Sequence, residues 1–225
     1  MVDILSRIRG GLVASCQPVD DGPMDRPEIV AAMAQACVAG GAVALRIEGV
    51  DNLKATRPLV NVPIIAIVKS DLEDSPVRIT VRVSEAIALA EAGADIIAYD
   101  ATDRARPDSK EAVLAAILGA GKIAMADSST LADGKLALAG GAQILGTTMS
   151  GYTEATAGNN DGPDFRLIRD FKALGAFVMA EGRLNSPDLA AAAMQSGADA
   201  VTVGSALTRL EHVTSWFADA IRSAK

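Results

Sequence analysis

Four stretches of this chain repeat one short grammar, in which a helix-forming run ends in glycine and is followed by alanine and an apolar run. They read AGGAVALRIE, EAGADIIAYD, LAGGAQILGTT and SGADAVTVGS. Their anchoring alanines, Ala42, Ala94, Ala142 and Ala198, stand 52, 48 and 56 residues apart. Each interval has room for two βα units of roughly 25 residues, so four repeats predict eight units.

The intervening strands are present. GLVASCQ at 11–17, IIAIVK at 64–69, KIAMADSS at 122–129 and FVMAEG at 177–182 are short apolar runs bounded by polar residues. Between strands lie alanine-rich helical stretches such as PEIVAAMAQACVAG, SEAIALAEAG, KEAVLAAILGAG and SPDLAAAAMQSG. Continuous apolar strands are buried on both faces, as in parallel sheets, and a glycine just past each helix allows the left-handed stop. Eight βα units in 225 residues predict an α/β chain folded as a (β/α)8 TIM barrel. No seam divides it, so residues 1–225 read as a single domain. A doubly wound open sheet is the alternative, but it leaves the fourfold spacing unexplained, and the GxGxxG turn of dinucleotide binding after strand 1 is missing.

Composition then removes whole classes of function. One histidine and two cysteines do not make a four-ligand zinc site, and no metal or other cofactor is expected. A formal charge of −7 and a pI near 4.8, without a clustered basic run, argue against a nucleic-acid partner. The absence of an apolar run of about 18 residues argues against a membrane span. The first eleven residues carry Asp3, Arg7 and Arg9 and do not resemble a secretory signal, so a cytoplasmic location is expected. Cys16 and Cys37 then read as small packed thiols.

A barrel of this kind builds its chemistry where the strands end at their C-terminal side. The polar residues there are Gln17, Arg46 and Glu48, Lys69, Asp100, Thr102 and Arg104, Asp127 to Ser129, Thr147, Thr148 and Ser150, Glu181, and Gly204 with Ser205. Lys69 closes five apolar residues. It is either a rim lysine with its stem over the strand end, or a partly buried amine which Arg46, on the adjacent strand, pushes toward the neutral form. A neutral amine serves as a base or forms a Schiff base. Glu181 is pinned between FVMA and Gly182, where burial raises a carboxyl toward general acid/base use; a structural ion pair with Arg183 or Arg209 is the alternative. Strands 3 and 7 are four steps apart in a ring of eight, which sets Lys69 and Glu181 across the mouth from each other.

Asp127 has three readings: orienting Lys69, binding a sugar hydroxyl, or capping the following helix beside Ser128, Ser129 and Thr130. The VTVGSALTR turn after strand 8 and the EGR turn at 181–183 occupy the position where such barrels hold phosphate, with Arg183 or Arg209 as the cation. His212 reads as an ordinary helix residue.

These residues sit in LVASCQP, ALRIEGVDN, IVKSDLEDSPVRIT, DATDRARPD, MADSST, ILGTTMSGYT, MAEGRLNSPD and VTVGSALTRLEHVTSWF. Over nearly its whole length the chain resembles the bacterial N-acylglucosamine-6-phosphate (N-acetylmannosamine-6-phosphate) 2-epimerases of sialic-acid catabolism. The resemblance implies conversion of N-acetylmannosamine 6-phosphate to N-acetylglucosamine 6-phosphate by deprotonation and reprotonation at C2, without metal or nucleotide. It puts the catalytic pair on Lys69 and Glu181, substrate contacts on Gln17, Arg46 and Asp127, and the phosphate site around Gly182, Gly204, Ser205 and Arg209. The chain departs from the usual family pattern in reading VRVSE, where a Pro-Thr pair is common, and in Tyr99, where leucine is usual.

Two other functions use the same residues. A Schiff-base aldolase would also employ a strand-end lysine, and a non-catalytic sugar-phosphate-binding barrel would need only the cavity. A homodimer through an apolar stripe of Leu210, Val213, Trp216 and Phe217 is a further expectation.

Overall fold

The computed structural model describes residues 3–158 and 161–224; positions 1, 2, 159, 160 and 225 of the 1–225 domain reading lie outside them. In chain order the elements are α1 (Ile4–Ile8), β1 (Leu12–Cys16), α2 (Pro27–Ala39), β2 (Ala44–Glu48), α3 (Val50–Thr56) and β3 (Ile64–Ile67). Then come α4 (Val83–Glu91), β4 (Ile96–Asp100), α5 (Lys110–Gly119), β5 (Ile123–Asp127), α6 (Leu131–Ala139) and β6 (Ile144–Gly146). The chain ends with α7 (Phe165–Ala173), β7 (Phe177–Glu181), α8 (Pro187–Gln195), β8 (Ala200–Val203), α9 (Ser205–Thr208) and α10 (Leu210–Ser223). The strands are parallel and close in sequence order, β8 pairing back onto β1. The fold is the (β/α)8 barrel.

The repeated glycine and alanine have a specific structural job. Gly41, Gly93, Gly141 and Gly197 have φ between 99° and 107°, a conformation that a side chain resists. The alanine that follows each one donates its N–H to the carbonyl five residues back: Ala42 to Cys37, Ala94 to Leu89, Ala142 to Ala137 and Ala198 to Ala193, at 3.0–3.2 Å. This is the six-to-one bond of a Schellman stop. It turns each helix sharply into the next strand, and the alanine is small enough to be buried beneath it.

Strand alternation sorts the side chains into two apolar layers. One lies between strands and helices and includes Leu45, Ile47, Ile97 and Val178. The other fills the barrel and includes Val13, Ala44, Ile65, Ile67, Ile96, Met125, Ile144, Met179 and Ala200. Ile8 of α1 belongs to the inner layer and is fully buried, so the short N-terminal helix packs onto the barrel filling, an element the strand pattern did not predict. Following the inner parity upward reaches Ser15, Arg46, Asp100, Asp127, Gly146, Glu181 and Thr202 on their strands, and Lys69 two residues past Ile67, the last of β3. Parity therefore directs these positions toward the barrel mouth.

Strand 3 is shorter than expected. It ends at Ile67, and Val68 and Lys69 pair with the following loop: Thr80 N donates to Val68 O at 2.8 Å, and Ser70 N donates to Arg78 O at 2.9 Å. The neighbouring strand β2 stops opposite Ile67, at Glu48, so the chain beyond finds its ladder partner in its own hairpin. Lys69 consequently stands on the first step of a hairpin over residues 68–80 rather than on the barrel strand.

Candidate active site

The barrel mouth holds a cavity of about 440 Å³. Its walls carry six cations, Arg46, Lys69, Arg78, Arg104, Arg183 and Arg209, against a single carboxylate, Glu181. The overall charge of −7 thus conceals a basic mouth suited to an anionic ligand. No group of three or more His, Cys, Asp or Glu side chains converges as a metal site would among the described residues.

Arg46 is the hub. Its side chain is 1% exposed. Nη2 lies 2.5 Å from Asp127 Oδ2, and Nη1 donates to Asp127 Oδ1 at 3.3 Å and to Glu181 Oε2 at 2.9 Å. Burial works against the guanidinium charge, but Asp127 and Glu181 overcome it and hold the group firmly protonated. Asp127 is fully buried and takes a further hydrogen bond from Thr148 Oγ1 at 2.7 Å. It does not line the cavity; it holds Arg46 from behind. Nor does it cap a helix, because Thr130 caps α6 in a reciprocal pair with Asp133. Gly146 makes this arrangement possible: a Cβ there would lie 2.9 Å from Asp127 Oδ1 and 2.7 Å from Met125 Cε.

Glu181 ends β7 with 14% of its side chain exposed. Of the two ion-pair partners considered from sequence it takes neither, since its partner is Arg46. Burial pushes its carboxyl up to about 7; Arg46 and Lys69 pull the other way, and the charge of Asp127 adds to the rise. Thr147 fixes the backbone, its Oγ1 donating to Glu181 O at 2.9 Å and accepting from Glu181 N at 3.1 Å.

Lys69 is half-buried at the cavity wall. Burial lowers its pKa below 10.5, and Arg209 lowers it further; Asp20 and Glu48 oppose the shift, and Arg46 adds a smaller push downward. The principal second cation is therefore Arg209, not the adjacent-strand Arg46. Glu48, to which the strand-end pattern attached no role, accepts from the Lys69 backbone N–H at 3.3 Å.

The opposite wall is formed by the turns after β7 and β8. Gly182, Gly204, Ser205 and Arg209 line it together with Gln17. Arg209 Nε donates to Gln17 O at 3.0 Å, and Gln17 Nε2 donates to Ser15 Oγ at 2.8 Å. Arg183 also lines the cavity, but its guanidinium is engaged with loop carbonyls, donating to Gly162 O at 2.7 Å and Ser150 O at 2.9 Å and lying over the Tyr152 ring. His212 is exposed on α10.

The site thus sets one carboxyl raised to about 7 and one depressed ammonium in a single cavity, Glu181 at the end of β7 and Lys69 just past the end of β3, four strands away in the ring. Residues 30–223 match the family described as "Putative N-acetylmannosamine-6-phosphate epimerase". Curated relatives named "Putative N-acetylmannosamine-6-phosphate 2-epimerase" include one from Actinobacillus pleuropneumoniae serotype 5b, 64% identical over 99% of this chain and 96% of its own. Another, from Haemophilus influenzae, is 60% identical over 99% of this chain and 97% of its own. Among solved structures, the N-acetylmannosamine-6-phosphate 2-epimerase from Clostridium perfringens superposes with a TM-score of 0.92 at 35% identity, over 96% of each chain.

Proposed function

Because the chain belongs to the N-acetylmannosamine-6-phosphate epimerase family, we propose that it converts N-acetylmannosamine 6-phosphate to N-acetylglucosamine 6-phosphate with Lys69 and Glu181 as its two proton carriers. The step belongs to sialic-acid and amino-sugar catabolism. In the open-chain sugar the C1 carbonyl acidifies the C2 proton. One group removes it, leaving an enolate, and the other delivers a proton to the opposite face.

The observation that carries this reading is the Glu181 carboxyl, raised to about 7, in the same cavity as a lysine whose pKa is depressed. Two such groups across a mouth can exchange donor and acceptor roles in the two directions of one reaction. Arg46 positions Glu181 and brings positive charge to the developing enolate, and Asp127 keeps Arg46 in place. Gln17 contacts the sugar. The 6-phosphate is received by Gly182, Gly204 and Ser205 with Arg209 as its principal cation, and Arg183 braces that wall through Ser150 and Gly162.

The test is direct. Purified protein incubated with N-acetylmannosamine 6-phosphate should produce N-acetylglucosamine 6-phosphate, followed by NMR. Binding without conversion would point to a sugar-phosphate sensor, and borohydride trapping of substrate on Lys69 would point to Schiff-base chemistry.

We place the enzyme in the cytoplasm; no described helix is long and apolar enough to cross a membrane. We also propose that it works as a homodimer. α10 fully buries none of its side chains, and Leu210, Trp216, Phe217 and Ile221 are exposed by 54%, 37%, 68% and 63%. A 14-residue helix gains little stability alone, and beside it runs an apolar groove lined by Leu12, Met194, Val201 and Val213. A second copy, offering the same apolar stripe, is the occupant that covers both. Sedimentation should find a dimer, and Phe217→Asp should dissociate it; a monomer at all concentrations would contradict the assignment.

A further inference from the structure

Between the proton-carrying residues and the phosphate turn stands one hydroxyl that the fold leaves idle. On β8, Ala200 belongs to the inner layer while Val201 and Val203 belong to the outer one, so Thr202 points inward at the barrel mouth. It lines the cavity and is 1% exposed. Among the described residues its Oγ1 has no hydrogen-bond partner.

Other buried threonines near the mouth are satisfied. Thr147 Oγ1 donates to Glu181 O at 2.9 Å, and Thr208 Oγ1 donates to Ser15 O at 2.7 Å. Thr56 Oγ1 is also unpartnered, but it lies at the end of α3 and does not line the cavity. An unpaired buried hydroxyl costs stability, whereas valine would keep the shape without that cost. Thr202 is the idle one that faces the cavity.

Its position says what would engage it. Across the sheet its Cα partners are Val13 and Glu181, and two residues later the chain reaches Gly204, where the phosphate wall begins. The hydroxyl exerts a small hydrogen-bond pull that lowers the Glu181 carboxyl, but the contact falls short of hydrogen-bond geometry and leaves Thr202 Oγ1 without a full partner. We propose that Thr202 is a substrate-contacting residue, its hydroxyl hydrogen-bonding a sugar hydroxyl on the carbons between C2 and the 6-phosphate. The assignment rests on the epimerase reading of the cavity. It makes Thr202 a reader of the polyol segment, the part of the ligand that neither the proton carriers nor the phosphate wall touches.

The experiment compares wild type, Thr202→Val and Thr202→Ser. Each is assayed for conversion of N-acetylmannosamine 6-phosphate and melted with and without N-acetylglucosamine 6-phosphate. Thr202→Val should lose about tenfold in kcat/KM, the worth of one hydrogen bond, and gain less thermal stabilisation from the sugar phosphate. Its Tm without ligand should equal or exceed that of wild type. Thr202→Ser, which keeps the hydroxyl, should stay within about threefold of wild-type kcat/KM. Valine activity within about twofold of wild type, a loss matched by a lower ligand-free Tm, or a serine variant as impaired as valine would each overturn the assignment. A wild type that binds but does not epimerise would refute the reading beneath it, while the ligand-dependent melting still tests the Thr202 contact itself.

Discussion

Arg46 Nη1 lies 2.9 Å from Glu181 Oε2, yet the carboxyl it touches titrates near 7 rather than at the usual carboxylate value. An arginine at this distance ordinarily lowers a carboxyl. Here the same guanidinium is also held by Asp127 at 2.5 Å, whose own charge raises Glu181, and burial penalises the ionised form further. Arg46 thus fixes the geometry of Glu181 without freezing its proton, which is what a group that must both give and take a proton requires.

The pH dependence follows from the pair. As the proposed proton carriers, Lys69 and Glu181 would share one proton in either direction of the reaction, so kcat/KM should trace a bell. Its acidic limb should have an apparent pKa near 7 and its alkaline limb one below 10.5, both belonging to the coupled pair. Folding raises the Glu181 carboxyl from 4.5 to about 7. Its stabilising contribution is therefore complete below the unfolded value and is lost as pH rises through about 7. Relative to wild type, Glu181→Gln should gain stability across that interval and change no further above it. Denaturant titrations at several pH values check the sign, and a kcat/KM profile flat through neutrality would contradict the assignment.

Removing Asp127 tests the support behind Arg46. Asp127→Ala leaves a fully buried guanidinium without its closest partner, and should cost about 3–5 kcal/mol of stability in denaturant unfolding. Activity should fall with it even where the protein remains folded, because Glu181 then loses the neighbour that holds Arg46 in line. A variant as stable as wild type would show that Arg46 finds another partner.

How far the sequence alone reached is visible in these residues. The glycine and alanine spacing already contained the helix stops, because a Schellman turn is local and needs one positive φ followed by a small buried residue. The strand-end pattern likewise put Arg46, Asp127 and Glu181 at the barrel mouth, as the first polar residues after apolar runs. Depth was not legible. Asp127 and Glu181 each end an apolar run, but only the closed ring shows that one sits behind Arg46 and the other opens onto the cavity. The turn of Lys69 into a hairpin depends on where β2 stops, a matter of register between strands, and Arg209 presses on Lys69 across about 140 residues of chain. Thr202 had no signal of its own, since a threonine in an apolar strand is ordinary until its hydroxyl proves to be unpaired.

Arg209→Ala tests the proposed phosphate cation, and because Arg209, next to burial, also holds down the Lys69 pKa, the variant should shift the alkaline limb of the kcat/KM profile upward. At neutral pH the loss of Arg209 should raise KM by about tenfold or more, with kcat changed much less. Steady-state kinetics on the phosphorylated sugar, compared with N-acetylmannosamine lacking phosphate, reads this out. The variant should narrow the preference for the phosphorylated form, and an unchanged preference would place the phosphate elsewhere.

The central claim is that Lys69 and Glu181 pass the C2 proton through solvent-exchangeable groups on opposite faces of one carbon. It is tested most directly by following N-acetylmannosamine 6-phosphate by NMR in D2O with wild type, Lys69→Ala and Glu181→Gln. Wild type should place deuterium at C2 of the product within a single turnover, and each variant should epimerise about 10²- to 10⁴-fold more slowly. Product that keeps its original C2 hydrogen, or full activity in either variant, would contradict the account.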